Sequence, residues 1–150
     1  MSEQPTSSNQ QLASTQFHEI EHTADLALWA RGDTLAELFA NVATGMYALS
    51  LGDDTTPIPT TVERVTIEVT GIDTETLLVN WLNELLYYTE IEGLVFSQFD
   101  ILELGPGRLN SIVNGHSGVP LQKIIKAATF HGLEITATRN GYEVTIVFDV

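Results

Sequence analysis

Residues 18–22 read His18-Glu19-Ile20-Glu21-His22, a literal H-E-x-x-H. On a helix that spacing sets two imidazoles one turn apart around zinc, with Glu19 as general base, the chemistry of a metal-dependent hydrolase. The surroundings predict a strand instead. Phe17, Glu19 and Glu21 alternate with His18, Ile20 and His22, and Thr23 follows. Residues four apart in a strand are roughly 13 Å apart, whereas two nitrogens on one zinc each need a bond of about 2.0–2.1 Å. A free-standing hydrolase built on His18, Glu19 and His22 is therefore the disfavoured reading.

Carboxylates offer a second chemistry. Asp25 interrupts the start of the apolar run Leu26-Ala27-Leu28, where the ordinary role of an Asp is a turn or a cap. The sequence stops at Phe148-Asp149-Val150, so the Asp149 side chain and a Val150 α-carboxylate would put two negative charges within one residue. Termini commonly fray. Yet such oxygens, with a third carboxylate alongside, are the donor set of one hard divalent cation, Ca²⁺, Mg²⁺ or Mn²⁺. Lys126 sits in the apolar run 124–130, where a lysine ordinarily protects a strand edge. In so acidic a chain it is expected to be drawn toward a carboxylate cluster. His131, before Gly132, reads as a turn or partly buried histidine rather than a ligand. There is no Gly-rich phosphate loop, and no Ser/His/Asp spacing stands out.

Two helices and several strands must position these groups. Leu35, Leu38, Phe39, Val42, Ala43, Met46 and Leu49 form one helical stripe, with Thr34 and Glu37 in the pattern of a capping box. Leu77, Leu78, Trp81, Leu82, Leu85 and Leu86 form a second, with Asp73 as N-cap and an end before Gly93. Alternation predicts strands over 64–69 and 143–149, and further strands are expected at 17–23, 25–31, 94–104, 109–114, 124–130 and 133–138. Turn signals stand at Gly105-Pro106-Gly107, Asn114-Gly115 and Asn140-Gly141, and 52–61 is the longest loop. Short connections after the second helix imply antiparallel pairing. The class is α+β, two amphipathic helices packed with mainly antiparallel β-sheet.

Composition narrows the function. The chain has 150 residues, enough for one domain. Residues 1–16 hold four Ser, four Gln and two Thr with Leu12 as the one sizeable aliphatic after Met1, so they are expected to be a disordered tail before a single domain at 17–150. Glu3 is the tail's only charged side chain, and nearly all of the net charge of −14 belongs to the rest. Six scattered bases against 20 acids argue against direct binding of nucleic acid, which needs clustered Lys and Arg to release counterions. The absence of cysteine removes disulfides, thiolate metal sites and cysteine nucleophiles. The cytoplasm is the expected compartment, and no apolar stretch is long enough to span a bilayer.

In combination, His22-Thr23-Ala24-Asp25 within 18–28, Gly32-Asp33-Thr34-Leu35 leading into Phe39, Lys126-Ala127-Ala128-Thr129-Phe130-His131 and the final Phe148-Asp149-Val150 resemble the archease family over residues 17–150. The resemblance implies an α+β protein of two helices packed with sheet. It also implies a protein that is not itself an enzyme but a cofactor of RtcB-type RNA ligases. These join 2′,3′-cyclic phosphate or 3′-phosphate ends to 5′-hydroxyl ends in tRNA splicing and RNA repair. Stimulation of ligase guanylylation and of multiple turnover is what the resemblance implies here. The family's metal site maps onto Asp25, Asp149 and Val150 and its required lysine onto Lys126, with His22 and His131 as candidates behind the ligands. RNA would then be met only through the ligase, with no membrane partner. The alternatives are the hydrolase above and a metal-binding interaction module serving another enzyme.

Overall fold

Both helical stripes fold as helices whose ends are fixed by the residues the sequence places there. The computed structural model describes residues 16–20, 25–52 and 61–150. Helix α1 (Leu35–Leu51) begins where the Thr34 hydroxyl accepts a bond from the Glu37 N–H at 3.1 Å. The Glu37 carboxylate reaches back to the Asp33 N–H at 2.6 Å, one residue earlier than a capping box requires. Helix α2 (Thr74–Glu92) starts at Asp73, whose carboxylate accepts from the Thr76 N–H at 2.8 Å. The Thr76 hydroxyl, and after it this backbone bond, hold the Asp73 carboxyl below its ordinary range. It ends at Gly93, which takes the left-handed conformation (φ 70°) that stops a helix without steric cost. Thr34→Ala is expected to destabilise the protein by about 1 kcal/mol, read from the denaturation midpoint, because it strips one N-terminal donor of its partner.

The strands form two antiparallel sheets. β1 (Phe17–Ile20), β2 (Leu26–Gly32), β8 (Gly141–Asp149) and the two-residue β6 (Ala127–Ala128) lie side by side in that order, and β7 (Thr136–Thr138) also pairs with β8. The second sheet has the order β3 (Glu63–Thr70), β5 (Arg108–Ser117), β4 (Leu94–Gly105). Helix α1 packs between β2 and β4, and α2 covers the three-stranded sheet and reaches β6. Apolar burial of the two stripes against both sheets makes the core: Leu38, Phe39, Val42 and Met46 from α1, Leu78, Trp81, Leu82 and Leu85 from α2, with Leu28, Ile146 and Phe148. Its aromatic polar groups are paired. Trp81 Nε1 donates to Ser111 Oγ at 2.9 Å, and that hydroxyl donates to the Ile67 carbonyl at 3.0 Å. The Tyr47 hydroxyl bonds the Leu85 carbonyl and Thr89 Oγ1, and burial raises its pKa out of the ordinary range.

The structure departs from expectation in three places. Asn114-Gly115 is not a turn but runs inside β5, because the Phe96 ring lies over Gly115 so closely that a Cβ there would stand 2.8 Å from it. The expected strand 124–130 keeps ladder pairing only at Ala127–Ala128, and 133–138 only at Thr136–Thr138. Gln16, counted with the tail, is bonded through its carbonyl and side chain to Arg31. Residues 1–15, the rest of the expected tail, lie outside the described residues, as do His22 and most of the 52–61 loop. No helix among the described residues is long and apolar enough to cross a membrane.

Candidate functional site

Three segments far apart in sequence meet at one end of the five-stranded sheet. In the β2–β8 ladder Leu26 stands opposite Phe148 and Ala27 opposite Val147. Continuing that register one step places Asp25 opposite Asp149. In the β6–β8 ladder Ala127 stands opposite Asp149, and the Lys126 N–H donates to the Asp149 carbonyl at 2.8 Å. Alternation then sorts the side chains. Leu26, Ile146 and Phe148 enter the core. Asp25 and Asp149 share the opposite face with Ala27 and Val147. Asp149 and Val150 are exposed, and Asp25 is half-buried and engaged in an interaction.

Two carboxylates set across neighbouring antiparallel strands repel one another, and a bound cation offsets that repulsion. The donor set is all oxygen: the Asp25 and Asp149 carboxylates and the backbone oxygens of Val150. It fits a hard divalent ion of the Ca²⁺, Mg²⁺ or Mn²⁺ type rather than a thiophilic one. Among the described residues there is no group of three or more His, Asp or Glu side chains that forms a metal cage. A site here therefore depends on main-chain oxygens or on residues beyond those described.

Lys126 is held by its backbone beside Asp149, at the residue before β6. It lines a cleft of about 550 Å³ with Tyr47, Ser50, Thr89, Glu90 and Ile124. The Ser50 carbonyl near the end of α1 accepts from the N–H groups of Gln122 and Lys123 at 2.9 and 3.1 Å, which brings the approach to β6 over the helix end. The described ion pairs are Arg31–Asp33 and Arg108–Glu68, and Lys126 is in neither. Among the described residues the expected attraction to the carboxylates is not expressed as an ion pair.

The remaining sequence candidates separate. His18 and Glu19 lie in β1 as consecutive strand residues, and His18 stacks on Trp29 with ring centroids 4.8 Å apart. That strand is the extended segment expected, and it lacks the helical turn a zinc H-E-x-x-H needs. His131 is exposed in the turn after β6, where its N–H donates to Thr129 Oγ1 at 3.3 Å. Sequence reasoning did not find Glu90, Thr89 and Tyr47 as walls of the Lys126 cleft, nor Asn83, whose side chain bonds the backbone of Ala128. The available signal was a polar residue at 83 between the buried Leu82 and Leu85.

Comparison with known proteins gives a consistent picture. The model of the archease protein family matches residues 17–150. The chain is similar to protein archease of Methanosarcina mazei, 33% identical over 142 residues, spanning 89% of this chain and 95% of the relative. It is likewise similar to protein archease of Aeropyrum pernix, 36% identical over 142 residues, spanning 89% and 96%. The solution structure of Methanobacterium thermoautotrophicum protein 1598 superposes with a TM-score of 0.69 at 28% identity, covering 90% of this chain and 99% of that one. The crystal structure of a Thermotoga maritima archease, described as a possible chaperone, superposes with a TM-score of 0.60 at 23% identity, covering 87% and 94%.

Proposed function

The chain belongs to the archease family, and from that premise we propose that it is a non-catalytic protein activator of an RtcB-type RNA ligase. It promotes guanylylation and repeated turnover of the ligase in tRNA splicing and RNA repair. One observation carries the reading: Asp25, Lys126 and Asp149, from three distant segments, converge on one end of the β2–β8–β6 ladder. Such convergence supports a functional site, since a merely structural strand end needs neither two carboxylates in register nor a lysine over a cleft.

In this proposal Asp25, Asp149 and Val150 hold one hard divalent cation. When bound, the ion supplies the positive charge that lets carboxylates on adjacent strands share a site. Lys126, which lines the cleft, presents its ammonium as a point donor to an anionic group of the ligase. The net charge of −14 suits docking on a basic, RNA-binding ligase surface and repels RNA itself, so RNA is met through the ligase.

Mixing the purified protein with its ligase, GTP and a divalent metal tests the reading. The rate of ligase–guanylate formation is expected to rise by about tenfold or more, the equivalent of about 1.4 kcal/mol at the barrier, and each ligase should join more than one RNA. Equal rates with and without the protein would defeat the proposal. Turnover of peptide or phosphoester by the protein alone, lost in Glu19→Ala, would replace it with the hydrolase.

A further inference from the structure

The strand that carries Lys126 into place is only two residues long and forms the edge of its sheet. On its inner side it is bonded to β8: the Lys126 N–H donates to Asp149 O at 2.8 Å and the Thr129 N–H to Val147 O at 3.0 Å. The backbone groups of Ala128 point the other way, to the open edge, where no further strand pairs among the described residues. Asn83 meets them both. Its Oδ1 accepts from the Ala128 N–H at 2.7 Å, and its Nδ2 donates to the Ala128 carbonyl at 3.2 Å. A side-chain amide carries the same donor and acceptor as a peptide group, so these two bonds reproduce what a neighbouring strand would have given.

Asn83 lines a neighbouring hollow with Asn80 and Glu84, and it precedes the part of α2 that walls the Lys126 cleft. Leu86, one turn on, and Glu90, a further turn on, line that cleft with Lys126. Asn is a poor residue for a helix interior. Its cost is offset only where the amide finds partners, as it does here. From this geometry we infer that Asn83 is a positioning residue: it clamps the short edge strand to α2 and thereby fixes Lys126 over the cleft. The inference rests on the ligase reading only for what Lys126 does once placed, since the clamp is a property of the free protein.

Two substitutions probe the clamp and one controls for the helix. Asn83→Ala removes both bonds. Asn83→Asp keeps the shape and the acceptor but sets an oxygen against the Ala128 carbonyl. Asn80→Ala removes an amide from the same helix that bonds the Thr70 carbonyl at 2.8 Å instead. Hydrogen exchange at the Ala128 amide is expected to quicken by about tenfold or more in Asn83→Ala, with Leu109 and Val113 of β5 unchanged. The side-chain resonances of Lys126 should shift in both Asn83 variants and stay in place in Asn80→Ala. With the ligase, maximal stimulation should fall by roughly fivefold or more in both while the half-saturating concentration stays within about twofold.

Unaltered exchange at Ala128 in Asn83→Ala overturns the clamp. Faster exchange with full stimulation overturns its role in placing Lys126, and a matching loss in Asn80→Ala shows a general weakening of α2 instead. If the unsubstituted protein stimulates no ligase, the ligase reading fails while exchange and the Lys126 resonances still decide whether Asn83 positions Lys126.

Discussion

Lys126→Ala is expected to abolish most of the ligase stimulation, by about tenfold or more in the guanylylation rate, while affinity for the ligase changes by no more than about twofold. The reasoning is geometric. Lys126 is exposed, makes no ion pair among the described residues and is fixed by its backbone rather than by its side chain. Truncating such a side chain should cost within about ±0.5 kcal/mol of stability, the range of ordinary surface substitutions. A large functional loss in a fully folded variant would therefore report on what the ammonium touches in the partner. Lys126→Arg sharpens the result: the charge stays, but a compact ammonium becomes a planar fork, and stimulation should still fail if the acceptor takes a point donor. Full stimulation by Lys126→Ala removes Lys126 from the mechanism. Loss of docking instead moves it from activation to binding.

Elements whose pattern repeats over many residues were legible from sequence. Both helices follow from stripes of period 3.6, and their starts from single residues, Thr34 and Asp73, whose side chains can accept a backbone bond. Long alternating strands such as β3 and β8 were equally plain. Short elements were not. The apolar run 124–130 reads as one strand, yet only Ala127 and Ala128 keep ladder register with β8, because the chain must leave the ladder to reach β7 along the same edge. Asn114-Gly115 carries a local turn signal that a distant ring, Phe96, overrides. The division into two sheets depends on pairings such as Leu26 with Phe148, separated by most of the chain, which no local pattern encodes.

The site was legible in part for the same reason. Asp25, Lys126 and Asp149 stand out by residue type and by resemblance, and the ladder registers bring their backbones together. Which face each side chain takes follows from strand parity, and parity is known only once the register is known. Lys126 reads from sequence as a neighbour of the carboxylates, and only the fold shows that it also lines a cleft with Thr89 and Glu90. Asn83 escaped notice because one polar residue in an amphipathic helix is ordinarily taken for a solvent-facing position. Its two bonds to Ala128 exist only in the folded chain.

Calorimetric titration of the metal-stripped protein is expected to find one equivalent of a hard divalent cation. Asp25→Ala or Asp149→Ala should each weaken it by about tenfold or more, or about 1.4 kcal/mol. The magnitude follows from the donor set, since each variant removes one of two anionic ligands and leaves main-chain oxygens that carry less charge. Asp149 is exposed and its carbonyl is already bonded to Lys126, so Asp149→Ala should leave the ladder intact and isolate the carboxylate's contribution. Asp149→Asn separates charge from coordination: it retains an oxygen in place, so residual binding measures geometry and the loss measures charge. Val150 is the third position. Extending the chain beyond it should weaken binding if a terminal carboxylate is a ligand and should leave binding unchanged if only its carbonyl oxygen is. Equal affinity in both alanine variants refutes the site. Loss of ion binding without loss of ligase stimulation would separate the two roles, leaving activation to Lys126 and its cleft.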